Sequence, residues 1–189
     1  MVKYTCIRCL RRETEVFMYQ PGDLIVYGGE GVCRVEAVGP LALSGMKSDK
    51  LYYTLQPLYR TGSVFAPVEG KVFMRPVISK EEARELVRSI PHVQEQHLEG
   101  RNLRMAGEYY QKLLSSHNCA DLVQLIKTIY AKQQSAQAAG RKGGQVDERY
   151  RKRAEDALCG ELAVALEISK DSVEAYIRKT IEEENTALV

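Results

Sequence analysis

The chain lacks Trp, and its aromatic content is low at 7%. It also lacks a long apolar run, so neither a membrane span nor a signal peptide is expected. Net charge is only +2, which excludes a basic or acidic surface over the whole chain and shifts attention to local charge. Histidine is scarce. His92, His97 and His117 fall in different elements or at element ends, with no acidic partner at ligand spacing, and support no hydrolytic or metal site. The five Cys are an odd number at irregular positions and read as free thiols of a reducing cytosol. Cys6 and Cys9 form a C-x-x-C, but no second pair completes a four-ligand zinc site. Nucleotide and hydrolase signatures are missing too: there is no G-x-G-x-x-G and no G-x-S-x-G. The stretch GPLALSGMKS (39–48) departs from the phosphate-loop pattern, because five residues separate its glycines and Met46 displaces Lys47. It reads as a hairpin loop. No cofactor is expected, and an enzyme is not.

What is present is an ordinary globular composition, 44% hydrophobic and 28% charged, with two regimes of periodicity. Residues 1–17 have no clear period and read as an N-terminal extension, which makes Met18 the expected natural start. Short β-branched or aromatic runs then follow: Leu24–Tyr27, Val32–Val38, Leu51–Leu55, Val64–Ala66 and Val72–Met74. Gly, Pro, Ser or Asp bounds each of them. Pro57 and Pro67 mark strand ends, because proline cannot donate to a ladder. These runs predict a small, bent antiparallel domain of SH3-like or Tudor-like type over 18–77. Leu24, Val26, Val35, Tyr53 and Leu55 are its core candidates. A sheet this small is marginal alone, so packing against helices or a partner matters.

From Ser79 the period becomes helical. Ser79 and Glu82 form a capping box, and Pro91 ends that helix near Ile90. A second helix is expected over roughly 94–115 and a third after Asn118. That third helix carries Leu122, Leu125, Ile126 and Ile129 on one stripe. The glycines of AGRKGGQ (139–145) interrupt the helices. A fourth helix over about 147–167 buries Tyr150, Ala154, Leu158, Leu162 and Leu166. A fifth, capped by Asp171, buries Val173 and Ile177. The fold class is therefore α+β: a small antiparallel β domain, then an all-helical domain of about five helices over 78–189.

With no catalytic set, the chemistry left is binding. Short strand edges of a small sheet can pair with a partner's strand. Arg141, Lys142, Arg149, Arg151, Lys152 and Arg153 crowd one segment against Asp147 and Glu148. Such a run is a polyanion surface or the solvated face of a helix. Arg149 and Arg153, four apart, share a flank; Arg101 and Arg104 add to it if the second and fourth helices pack side by side.

PGDLIVYGGEGVCRVEAV, LYYTLQPL, VFAPVEG and MRPVISKEEARELV together strongly resemble the CarD family of bacterial transcription regulators. The first part is also similar to the RNA polymerase-interacting domain of the transcription–repair coupling factor. AEDALCGELAVAL (154–166) resembles the last long helix of CarD-like proteins. The resemblance implies a Tudor-like domain on the β subunit of RNA polymerase and a helical domain on promoter DNA at the upstream fork of the bubble. Together they would stabilise the open complex of a cytoplasmic, nucleoid-associated machine. It marks Val64, Phe65 and Ala66 as polymerase contacts, with Phe65 standing where the family often has a basic residue. It places Asn102, Arg104, Arg149 and Arg153 at the family's DNA-contacting positions; Arg101, by its spacing from Arg104, and Arg141 and Lys142, beside glycines that let the backbone approach a strand, are expected to join them, mostly on phosphate. Asn102 stands where the family usually has a minor-groove Trp wedge. Two rivals remain: an adaptor on polymerase with no DNA role, and an RNA- or ribosome-associated small barrel. The latter needs exposed aromatics on a strand face, whereas the adjacent Tyr52 and Tyr53 point to opposite faces.

Overall fold

In the computed structural model, residues 19–43, 46–96 and 103–187 are described. The glycine-rich break after Tyr27 sets the first corner of the chain. Strand β1 (Leu24–Tyr27) runs into a 3-10 turn (Gly28–Glu30) and back along β2 (Gly31–Leu43). Gly28 sits at φ 41°, where a side chain is strained, and a Cβ there would lie 2.9 Å from Val72. Its N–H donates to the Phe73 carbonyl at 2.9 Å, tying the turn to the segment that enters β5.

Strands β3 (Met46–Pro57), β4 (Val64–Pro67) and β5 (Met74–Pro76) complete one antiparallel sheet in the order β4-β3-β2-β1-β5. Pro57 and Pro67 close their strands as expected. The β2–β3 pair is longer than predicted: Gly39 and Pro40 lie within β2, which continues past two register shifts, at Val35/Ala37 and Pro40/Ala42. The hairpin loop read over 39–48 is therefore mostly strand. Pro40 stays in register with Leu51 immediately before the second shift, where the ladder is already interrupted and its missing N–H costs least. The last predicted strand is also displaced, from 72–74 to Met74–Pro76.

The sheet core consists of Ile25, Tyr27, Cys33, Val35, Tyr53, Leu55 and Ala66. Leu24 and Val26 were placed on this face by the sequence, and the structure corrects both. Leu24 is only half-buried, and Val26 is buried on the opposite face, where with Val32 it lines the cleft against the helices. Because β1 is covered on both faces, its burial does not alternate and apolarity alone cannot fix its phase.

The helices are α1 (Lys80–Ser89), α2 (Leu103–Ser115), α3 (Cys119–Ala138), α4 (Gln145–Leu166) and α5 (Val173–Ala187). A second apolar core joins them around Tyr110, Leu125, Ile129, Leu158, Leu162 and Val173, and Val77 and Ile78 already pack on it. The capping box forms as read: Glu82 N–H donates to Ser79 Oγ at 3.2 Å, and Ser79 N–H donates to Glu82 Oε2 at 2.7 Å. Asn118 caps α3, its Oδ1 accepting from Ala120 N–H at 2.8 Å. The second helix starts later than predicted: residues 93–96 are non-helical, held where Gln96 N–H meets Thr128 Oγ1. Asp171 does not cap α5; it lies inside a 3-10 turn (Lys170–Ser172) that leads into the helix.

Replacing Ser79 by Ala removes the acceptor of one N–H at the start of α1. It should lower unfolding stability by about 1 kcal/mol in urea titrations, with the denaturant slope unchanged.

Candidate functional site

Three features could carry function: the open edge of the sheet, a cationic face on α4, and the seam between them. Among the described residues β4 pairs only with β3 and so forms one edge of the sheet, while β5 at the other edge lies against the helices. Val68 N–H donates to the Leu51 carbonyl at 2.9 Å. In the antiparallel register of Tyr53 with Ala66 and Thr54 with Phe65, Ala66 and Val64 therefore bond inward. The N–H and C=O of Phe65 then face outward. The Phe65 side chain is 47% exposed on the outer face of the sheet, opposite Thr54. Ala66 is fully buried in the sheet core, and Val64 is half-buried against the same core. Of the three predicted contact residues, only Phe65 presents both backbone and side chain.

On the helices, α2 and α4 pack together. The Tyr110 and Tyr150 rings lie 5.5 Å apart, and Tyr150 Oη donates to Gln111 Oε1 at 3.4 Å. Arg149 and Arg153 bracket Tyr150, with guanidinium carbons 5.7 and 6.0 Å from its ring centre. Both are exposed, and among the described residues no carboxylate pairs with either. Their neighbours differ. Arg151 is held by Glu148 at 2.8 Å and Glu155 at 2.5 Å, and Lys152 reaches Glu148 at 3.6 Å. The hydrogen bond from Arg151 is the main reason the Glu148 carboxyl is held below its usual range. The basic run thus divides into an internally neutralised side and an available pair.

Arg141 and Lys142 are exposed in the connection before α4. Arg104 is exposed near the start of α2 and engages Glu108 at 3.0 Å, a surface pair worth little in water. Arg101 and Asn102 lie outside the described residues, as do the C-x-x-C cysteines and His97. Among the described residues, no cluster of His, Cys, Asp or Glu is arranged to hold a metal ion.

The seam was not legible from the sequence. Arg75 of β5 reaches across to Glu161 of α4, with Nη1 on Oε1 and Nη2 on Oε2 at 2.7 Å. Its Nε and Nη2 also donate to the His117 carbonyl at 3.0 and 2.6 Å. Glu161 accepts further from Ile78 N–H at 3.2 Å and Cys119 Sγ at 3.1 Å. Burial works against the Arg75 charge, and Glu161 more than offsets it, so the guanidinium is held above its ordinary value. Burial, then Glu161, pushes the Cys119 thiol up to about 12, so its S–H stays intact to donate. Beside this network, Tyr59 Oη donates to the Gly160 carbonyl at 3.2 Å, and Lys170 sits 4.7 Å above the Tyr59 ring. The one available signal was Glu161 itself, a lone carboxylate in the apolar run ALCGELAVAL. Arg153 lines a cleft of about 280 Å³ with Gly28–Gly31, Tyr59 and Gln111, so the cationic face abuts this seam.

Residues 19–78 match the family model of the CarD-like/TRCF RID domain. The resemblance read from the strand motifs is thereby shown for that stretch. This family is an RNA polymerase interaction domain and not a catalytic one. No curated protein matches the chain. No helix among the described residues is long and apolar enough to cross a membrane.

His117 stands at the seam with φ 53°, its ring stacked on Phe73 at 4.7 Å. Burial, then the Arg75 charge, lowers its pKa below 6.5. A depressed histidine contributes stability that is whole above the unfolded value and is lost as pH falls through the folded one. A pH titration followed by NMR should place the His117 midpoint below the ordinary histidine value of 6.5, and His117→Asn should flatten the acid-side loss of stability.

Proposed function

We propose that this chain is a non-enzymatic transcription regulator that grips RNA polymerase and promoter DNA at once. The β4 edge docks on the β subunit by adding a strand, with Phe65 supplying the outward N–H and C=O and an apolar side chain. The helical part lies on the upstream fork of the bubble and stabilises the open complex. Arg149 and Arg153 meet phosphates there, with Arg141, Lys142, Arg101 and Arg104 around them. The observation that carries the reading is a sheet edge that no described residue covers, inside a stretch matched to the polymerase-interacting family, with a guanidinium pair on the same chain that no carboxylate among the described residues neutralises. Two modest contacts on one chain gain avidity, because the second is intramolecular. The site of action would be the cytoplasm, at the nucleoid.

The wedge of the family gives way here to Asn102, so DNA contact rests on charge and is nearly sequence-independent. The small-barrel RNA reading loses ground, because Tyr53 is fully buried and offers no stacking surface.

Two substitutions separate the contacts. Phe65→Pro deletes an N–H that the sheet does not use, so the fold should survive while polymerase binding falls well below that of Phe65→Ala. Arg149→Ala with Arg153→Ala should weaken binding to a promoter-fork duplex and reduce the slope of log K against log salt by about 2, roughly 0.9 per phosphate. An unchanged slope would leave the adaptor reading.

A further inference from the structure

We infer that Gly160 and Glu161 of α4 are positioning residues, a seat that fixes the angle between the sheet and the cationic face; their role in recognition rests on the bivalent function proposed above. Two sheet-side residues from different segments converge on this one step of helix. Tyr59, from the β3–β4 connection, bonds the Gly160 carbonyl, and Arg75, from β5, holds the Glu161 carboxylate with two nitrogens. The seat is shaped as well as charged. A Cβ at position 160 would meet the Tyr59 ring at 3.1 Å, so the ring would have to give by a few tenths of an ångström to keep its place. Glu161 also gathers Ile78 N–H from the approach to α1 and Cys119 Sγ from the start of α3. Hence a single carboxylate ties the end of the sheet to the starts of two helices.

The same helix carries the cations. Arg153 lies seven residues before Gly160, which is close to two turns and about 10.5 Å along the axis on nearly the same face. Arg149 lies one turn further. α4 is therefore a rod with the seat toward one end and the cationic pair toward the other. Fixing the sheet on the seat fixes the vector from the β4 edge to Arg149 and Arg153. Avidity is greatest when that vector matches the span between the two targets, and it drops when the parts swing independently.

The test uses the full chain with Cys6, Cys9 and Cys159 replaced by Ser and spin labels on Ser63→Cys and Ser135→Cys, both exposed and neither among the proposed contacts. Pulsed dipolar spectroscopy should give one narrow distance distribution. Glu161→Gln and Gly160→Ala should broaden it. Gly160→Ala is informative because Ala favours helix over Gly, so a loss reports the Tyr59 contact and not a weakened α4. Tyr59→Ala, at a residue 42% exposed, is a milder third variant that leaves both cores intact if the others fail to fold. Binding to polymerase alone and to fork DNA alone should stay within twofold in these variants. Open-complex lifetime with both targets present should fall tenfold or more. A broad distribution in the parent chain, or a narrow one in all three variants, overturns the seat. So does an unchanged lifetime despite a broadened distribution. If the parent does not bind polymerase at all, the proposed function fails, and the distance distributions alone decide whether the seat sets the angle.

Discussion

The Arg75–Glu161 pair is the interaction on which the rest of the arrangement depends. Taking a carboxylate that is 3% exposed and a guanidinium that is 21% exposed out of water is costly. What offsets the cost is that both groups are fully engaged. The guanidinium divides its donors between a carboxylate and two carbonyls, those of His117 and Pro76, and the carboxylate accepts from a guanidinium, an amide and a thiol. Such a pair adds little net stability over a well-packed apolar contact. Breaking one half, however, strands a buried charge at a cost of about 3–5 kcal/mol. Its contribution is thus one of specificity: of the ways a small sheet could rest on a helical bundle, it favours one.

Charge on the rest of the surface follows a similar economy. Seven residues of α4, 147–153, hold four cations and two acids, and the helix geometry sorts them. Glu148 and Glu155 lie one turn to either side of Arg151 and absorb it, and Asp147 takes Lys132 from α3 at 2.8 Å. Arg149 and Arg153 are left beside an aromatic ring, exposed, and among the described residues no carboxylate pairs with either. The local excess of charge is smaller than the sequence count suggests, and it is better focused.

Much of this was legible in the sequence because local rules and tertiary structure agree. The capping box at Ser79, the Asn118 cap, the strand-ending prolines and the buried stripe of Leu122, Leu125 and Ile129 depend on neighbours within a few residues. What was missed depends on neighbours far away. The phase of β1 was misjudged because helices cover its second face. The β2–β3 hairpin was cut short because Gly39 and Pro40, read as loop residues, stay in register with Tyr52 and Leu51. Arg75 and Glu161 are 86 residues apart, and Tyr59 and Gly160 are 101 apart, so no periodicity links them. Ala66 was named from a strand motif, although its register with Tyr53 turns it inward.

The brevity of β4 has a consequence for solubility. A bare sheet edge is the usual starting point for assembly of identical chains, strand against strand. Here the strand is only Val64–Pro67, and its last residue has no N–H to give. Two copies laid edge to edge could exchange few ladder bonds, too few to repay the entropy of ordering both. A foreign strand with its own side-chain pockets for Phe65 escapes that arithmetic. The same truncation that leaves the edge open therefore also guards it against self-recognition.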